Sequence, residues 1–221
     1  MTEALLYGFQ STQEAFIRET PADDDSGSTA IVAIVCGRHV VIANLGDSGG
    51  LYHNDQGALG GGSITVKTEF HTTGNKIEKE RVEAAGGILT ADGMRLCVFT
   101  ADGRLCGGLQ PTRSFGDRDV HRTKEGVLIA VPELTVHQVR PTANGVAFIV
   151  LGTDGLWDCV PDSKVVDMVR AEEGQRRSRH KPGKVPLRMA ESLVKRAAGT
   201  TYDDITAVVI LFHQYQTTTP A

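Results

Sequence analysis

The chain has 221 residues, 40% of them apolar and 23% charged, with a formal net charge of −4. These values fit one globular domain with an ordinary core and argue against a general nucleic-acid binder, which needs a basic face to meet phosphates. The longest apolar runs, Ala30 to Cys36 and Ala147 to Leu151, fall far short of the about 20 residues that span a bilayer, so no membrane partner is expected. Met1 to Leu6 has neither the basic stretch nor the cleavage-like site of a signal peptide. Four cysteines, Cys36, Cys97, Cys106 and Cys159, show no CxxC spacing and read as reduced thiols of a cytoplasmic or nuclear protein.

Leu5, Phe9, Thr12 and Phe16 recur at helical spacing and predict a first helix, which the acidic stretch 21–25 ends. Ser28 to Cys36 and His39 to Leu45 form a predicted hairpin about Gly37-Arg38. Both strands are rich in Ile and Val and are expected to be covered on both faces. Gly57 to Gly62 is a glycine-dense loop. Asn75, with Glu78 three residues on, has the form of a helix N-cap with a reciprocating acid; that helix runs to Ala85 and stops at Gly86-Gly87. Asp92-Gly93 and Asp102-Gly103 lie between strand-like residues. They predict the turns of a meander through Ile88 to Thr90, Met94 to Thr100 and Arg104 to Cys106. Strands at Val127 to Ala130 and Thr135 to Val139 flank Pro132, and a buried strand follows over Ala147 to Leu151.

Pro161-Asp162 opens a helix carrying Val165, Val166 and Val169. Arg170 to Lys184, dense in basic residues, reads as a solvated loop or as a docking patch for acidic or phosphorylated partners. Pro186 opens another helix with Leu187, Ala190, Val194 and Ala197 along one face. Ile205 to Phe212 is apolar throughout and is expected to be a central strand; 214–221 is expected to fray. No repeat and no linker divides the chain. The expectation is a single domain over 1–221, of α+β class, with antiparallel sheets and helices packed outside them.

Asp154 follows a strand that is apolar at every position. It is succeeded by Gly155, Leu156, Trp157 and Asp158 rather than by a returning strand. It is either a ligand of a hard divalent cation or part of a capped turn beneath the only Trp. Asp203 and Asp204 precede the last strand, and Asp47 follows the strand ending at Leu45. Taken singly, Asp203 and Asp204 read as a solvated acidic pair and Asp47 as an Asx-turn residue. Together, three core strands each meet an acid at one end, while the seven histidines contain no i, i+4 pair for zinc. The set points to magnesium or manganese. Arg113 to Asp117 reads as a loop anchored by an Arg113–Asp117 ion pair. Ser114 is not in a nucleophile elbow, and neither a P-loop nor a dinucleotide fingerprint is present.

Seven stretches in order carry a resemblance: Gly27-Ser-Thr-Ala30, Ala43-Asn-Leu-Gly-Asp47-Ser, Glu80-Arg-Val-Glu-Ala-Ala-Gly-Gly87, Thr112-Arg-Ser-Phe-Gly-Asp117, Val131-Pro-Glu-Leu134, Gly152-Thr-Asp154-Gly-Leu-Trp-Asp158 and Asp203-Asp-Ile-Thr206. The chain resembles the type-2C, metal-dependent serine/threonine protein phosphatases over nearly its whole length. The resemblance implies a β-sandwich of two antiparallel sheets flanked by helices and a binuclear Mg2+ or Mn2+ centre. It also implies hydrolysis of phosphoserine or phosphothreonine in protein substrates by a metal-activated water. It makes Asp154 and Asp203 ligands of that centre, assigns Asp47 and Asp158 to a third, weaker metal position, and gives Arg113 and Asp117 a structural role. The family's phosphate-holding arginine, its neighbouring acidic pair, its Asp-Gly-His-Gly motif and its first sheet strands have no counterpart in the chain. Asp204 stands for the usual Asn, Gly49 for an Arg, and Phe70 for an Asp before His71. Two functions are therefore expected: a phosphatase, or a pseudophosphatase that binds protein partners as a scaffold or regulatory module.

Overall fold

The computed structural model describes residues 1–55, 62–100, 103–123, 125–140, 145–179 and 185–212. Most of the glycine-dense stretch 57–62 lies outside them, as do 180–184 and the expected frayed tail.

The helical spacing of Leu5 and Phe9 is realised in α1, Thr2–Glu19, which buries both. The strands β1 (Gly27–Ser28), β2 (Ala30–Cys36) and β3 (His39–Leu45) follow. Gly37 turns β2 into β3 at a φ of 59°, where a side chain would be strained. Next come β4 (Gly49–Asp55) and β5 (Ser63–Lys67). Helix α2, Lys76–Ala84, starts at Asn75, whose side chain accepts the Ile77 N–H. It ends as the glycines predict: Gly86 N–H donates to Glu83 O and Gly87 N–H to Val82 O, the Schellman pattern. The chain continues through β6 (Leu96–Phe99), β7 (Leu105–Leu109), β8 (Phe115–Gly116), α3 (Arg118–Thr123) and β9 (Glu133–Gln138). It closes with β10 (Ala147–Gly152), α4 (Asp154–Trp157), α5 (Asp162–Arg179), α6 (Val185–Ala198) and β11 (Ala207–Phe212). None of the described helices is long and apolar enough to cross a membrane.

Two compact units interleave along the chain, the first from 1–34, 41–48 and 69–135, the second from 35–40, 49–68 and 136–221. The first holds most of a three-stranded sheet ordered β2-β3-β9, with the small pairs β1-β8 and β6-β7. Leu5 and Phe9 of α1 join Val41, Ala43 and Leu45 in one buried cluster, and Phe9 meets Phe115 at 5.3 Å between ring centroids. Val82, Leu96, Val98, Val120, Val127 and Leu128 form another. The second unit is built on an antiparallel sheet ordered β11-β10-β4-β5. Helix α6 packs on β11, and α5 packs on α6.

Several expectations need correction. Of the two hairpin strands only β3 is buried on both faces; β2 lies at its sheet's edge, with Val35 42% exposed. The apolar run at the C-terminal end is likewise an edge strand, since among the described residues β11 pairs with β10 alone and Val208 is 47% exposed. Apolar content reports which faces are covered, here by α6, and says nothing of lateral neighbours. No strand forms over Val127 to Ala130, where only isolated bridges join Arg113 to Ile129 and Glu125 to Leu128. The predicted loop from Arg170 is helix as far as Arg179. Ala171, Glu172, Glu173 and Gln175 favour helix without making an apolar stripe. In α6 the buried row is Val185, Met189, Leu193 and Ala197, with Leu187 52% exposed. Both rows obey helical spacing, which cannot choose between neighbouring rows of similar apolarity. Glu78 is no reciprocating cap: its carboxylate turns inward to Arg113, Arg81 and Thr112.

Candidate metal centre

Strand β10 delivers its last residue, Gly152, to a crowded corner. A Cβ there would lie 2.6 Å from Leu156 Cδ2, so only glycine lets α4 fold back so tightly. Trp157 is buried and its Nε1–H donates to Gly49 O at 3.1 Å and Gly152 O at 3.0 Å, fixing the short helix on the sheet. Lys67 Nζ sits 4.6 Å from the Trp157 ring centroid and 2.9 Å from Asp162 Oδ1. The first residue of α4 is Asp154, whose Oδ1 accepts the Gly155 N–H at 2.9 Å.

The turn before β11 is brought beside it. Asp203 N–H donates to Thr201 Oγ1 at 3.0 Å, and Asp204 N–H to Asp203 Oδ1 at 2.9 Å. A Cβ on Gly155 would lie 2.7 Å from Asp204 O and 3.4 Å from Asp203 Cβ, so the two turns touch there, and glycine at 155 permits the approach. The electrostatics agree. Burial pushes the Asp154 carboxyl above its ordinary range, and the neighbouring Asp203 and then Asp158 push it further, against two downward pulls, from the Gly155 N–H and from its own backbone N–H. Asp158 ends α4 on the exposed side, its N–H donating to Asp154 O at 2.8 Å.

Asp47 belongs to the first unit, where it is buried. It follows Gly46, whose φ of 98° turns the chain out of β3. His71 holds that turn twice: its Nδ1 accepts the Gly46 N–H at 3.1 Å, and its backbone N–H donates to Gly46 O at 3.0 Å.

Arg113 does not pair with Asp117. It grips Glu78, through Nη2 to Oε1 at 2.6 Å and Nε to Oε2 at 3.1 Å, while Asp117, at a φ of 49°, accepts the Ser114 hydroxyl. Glu78 and Thr153 are the residues that sequence reading missed. Thirty-five positions separate Glu78 from Arg113, so no local pattern announces the pair. Thr153 sits in the stretch 152–158, where the acids carry the stronger chemical signal.

Oxygen-only donors suit Mg2+ or Mn2+, and Mg2+ keeps several waters while taking one or two carboxylates. Asp154 and Asp203, repelling one another at a common edge, fit such an ion as part of its ligand set. They do not complete the set: among the described residues no group of three or more His, Cys, Asp or Glu side chains is placed to hold a metal.

Fold and acids together define an α+β protein of antiparallel sheets and flanking helices with a carboxylate-lined edge. The family model of Protein phosphatase 2C matches residues 1–204, and the chain belongs to that family. It is 30% identical over 217 residues to "Probable protein phosphatase 2C 55" of Oryza sativa subsp. japonica, covering 97% of this chain and 49% of that protein. It is 31% identical to "Probable protein phosphatase 2C 7" of the same plant, covering 95% and 48%. The chain thus spans about half the length of these curated relatives. Among solved structures, a serine-threonine phosphatase 2C from Toxoplasma gondii superposes with a TM-score of 0.72 at 21% identity, covering 96% of this chain and 67% of that one. That likeness establishes the shared fold.

Proposed function

We propose that this chain carries part of the metal-binding edge of a protein serine/threonine phosphatase, and that the whole protein hydrolyses phosphoserine or phosphothreonine in protein substrates. The observation that supports this most is the Asp154–Asp203 pair. Two carboxyls brought together with no basic side chain pairing with Asp154 among the described residues are costly unless a cation joins them. Asp154 and Asp203 would hold Mg2+ or Mn2+; the family resemblance assigns Asp47 and Asp158 to a third, weaker metal position. When bound, such an ion supplies Lewis acidity, acidifying water and balancing the charge of phosphoryl oxygens. The chain's own part is to fix the two acids at the end of β10 and before the start of β11, with α4 held on the sheet by the buried Trp157. Cytoplasm or nucleus is the proposed location, supported by the free thiols of Cys36, Cys97 and Cys159; imaging of a tagged protein tests it.

The incomplete ligand set among the described residues favours a second reading, a pseudophosphatase that serves as a scaffold or regulatory binding module. Turnover of a phosphothreonine peptide separates the two, measured with and without Mn2+ on this chain and on the longest natural form containing it. Manganese-dependent turnover lost in Asp154→Ala supports the phosphatase. Folded protein that shows no turnover in either form supports the binding module.

A further inference from the structure

Thr153 stands between Gly152, the last residue of β10, and Asp154. Its backbone N–H donates to Thr206 O at 3.2 Å, one rung beyond the last register pair of the β10–β11 ladder, Gly152 with Ala207. Past that rung the side chain takes over. Thr153 Oγ1 donates to Asp204 O at 3.2 Å and accepts the Thr206 N–H at 3.1 Å. A hydroxyl has one proton to give, and here it is directed to the residue after Asp203 while a lone pair meets the amide two residues further on. The turn bearing Asp203 is therefore fastened, on both sides of Ile205, to the residue immediately before Asp154. The absent Cβ of Gly155 lets the same carbonyl, Asp204 O, come close to α4.

We propose that the Thr153 hydroxyl is a positioning group for the metal edge, fastening the Asp203 turn to the Asp154 turn so that both carboxylates address one divalent cation. The inference rests on reading Asp154 and Asp203 as ligands and adds the group that sets their spacing. Without the hydroxyl, Asp204 O and the Thr206 N–H turn to water, and the Asp203 turn keeps only the backbone rung at Thr153. Partners one step removed from a metal ligand typically change affinity by about 10- to 100-fold when lost.

The test compares Mn2+ titration calorimetry of the wild type, Thr153→Ala and Thr153→Ser, together with hydrogen exchange of the Thr206 amide without metal. Ala and Ser both lack the Thr methyl, so their difference reports the hydroxyl alone. Thr153→Ala is expected to weaken Mn2+ binding by about tenfold or more and to speed exchange at Thr206, with Thr153→Ser close to wild type in both. Should Thr153→Ala fail to fold, Thr153→Val, which keeps the branched shape, takes its place. An alanine variant that binds Mn2+ like wild type, a serine variant as weak as alanine, or unchanged Thr206 exchange overturns the proposal. Wild type with no Mn2+ affinity overturns the metal reading itself, and this inference with it, a result visible before any variant is made.

Discussion

Glu78 and Asp154 are carboxyls drawn out of water and then treated in opposite ways. Glu78 is 1% exposed, and burial alone would raise its pKa. Hydrogen bonds from Arg113, Thr112 and Arg81 outweigh that and hold it down at about 2. Asp154 is raised by burial, then by Asp203, then by Asp158. The fold supplies Glu78 with its counter-charge and leaves Asp154 surrounded by more of its own sign. An acid that serves the architecture brings its partner with it. An acid left short of positive charge is where a cation from solution gains most.

The contrast breaks most visibly on truncation. Glu78→Ala leaves two guanidinium groups without their acid and is expected to cost about 3 kcal/mol or more, read as a lower urea midpoint. Asp154→Ala in metal-free protein is expected to cost less than about 1 kcal/mol. Equal losses would erase the distinction.

Acid sharpens it next. Glu78 folded binds its proton below the ordinary 4.5, so its contribution is full above 4.5 and is lost as pH falls toward about 2. His71 is held down to about 4 from 6.5, by burial first and then by Arg113. It is neutral in the fold, and its contribution is full above 6.5 and is lost as pH falls toward about 4. Asp154 has the reverse sign: raised above 3.8 in the fold, its contribution is present below that value and is lost as pH rises through the folded one. Urea midpoints are expected to fall steadily between about pH 7 and about pH 3 as Glu78 and His71 outweigh Asp154; a flat profile would contradict the assignment of Glu78 and His71.

The smallest effect is Asp154→Asn without metal. Removing a charge that the site disfavours should raise the melting temperature, by an amount worth less than about 1 kcal/mol. A fall would mean that the carboxylate is needed by the fold and not only by a ligand.

Elements with a strong local signature were legible in the sequence. The apolar spacing of α1, the Gly37 turn, the Gly86-Gly87 stop and the strand ending at Gly152 all stand where the residues put them. Failures came where the deciding contact is distant. The C-terminal strand is apolar because α6 covers it, and that says nothing about which strands lie at its sides. Glu78 three residues after Asn75 imitates a capping box, and only the arrival of Arg113 from far along the chain shows its true partner. Residues 170–179 lack an apolar stripe, so periodicity could not reveal a helix that propensity alone extends. At the site, the acids were legible as acids at strand ends. That the turns carrying Asp154 and Asp203 meet depends on the antiparallel pairing of β10 with β11, and the hydroxyl between the turns belongs to no pattern.

The most direct test is Mn2+ affinity measured by calorimetry on the wild type, Asp154→Asn, Asp203→Asn and the double variant. If the two acids share one ion, each single change weakens binding by more than about tenfold, and the double variant is much less weakened than the two losses summed. Binding in Asp203→Asn that matches the wild type would show that the two turns meet without sharing a cation.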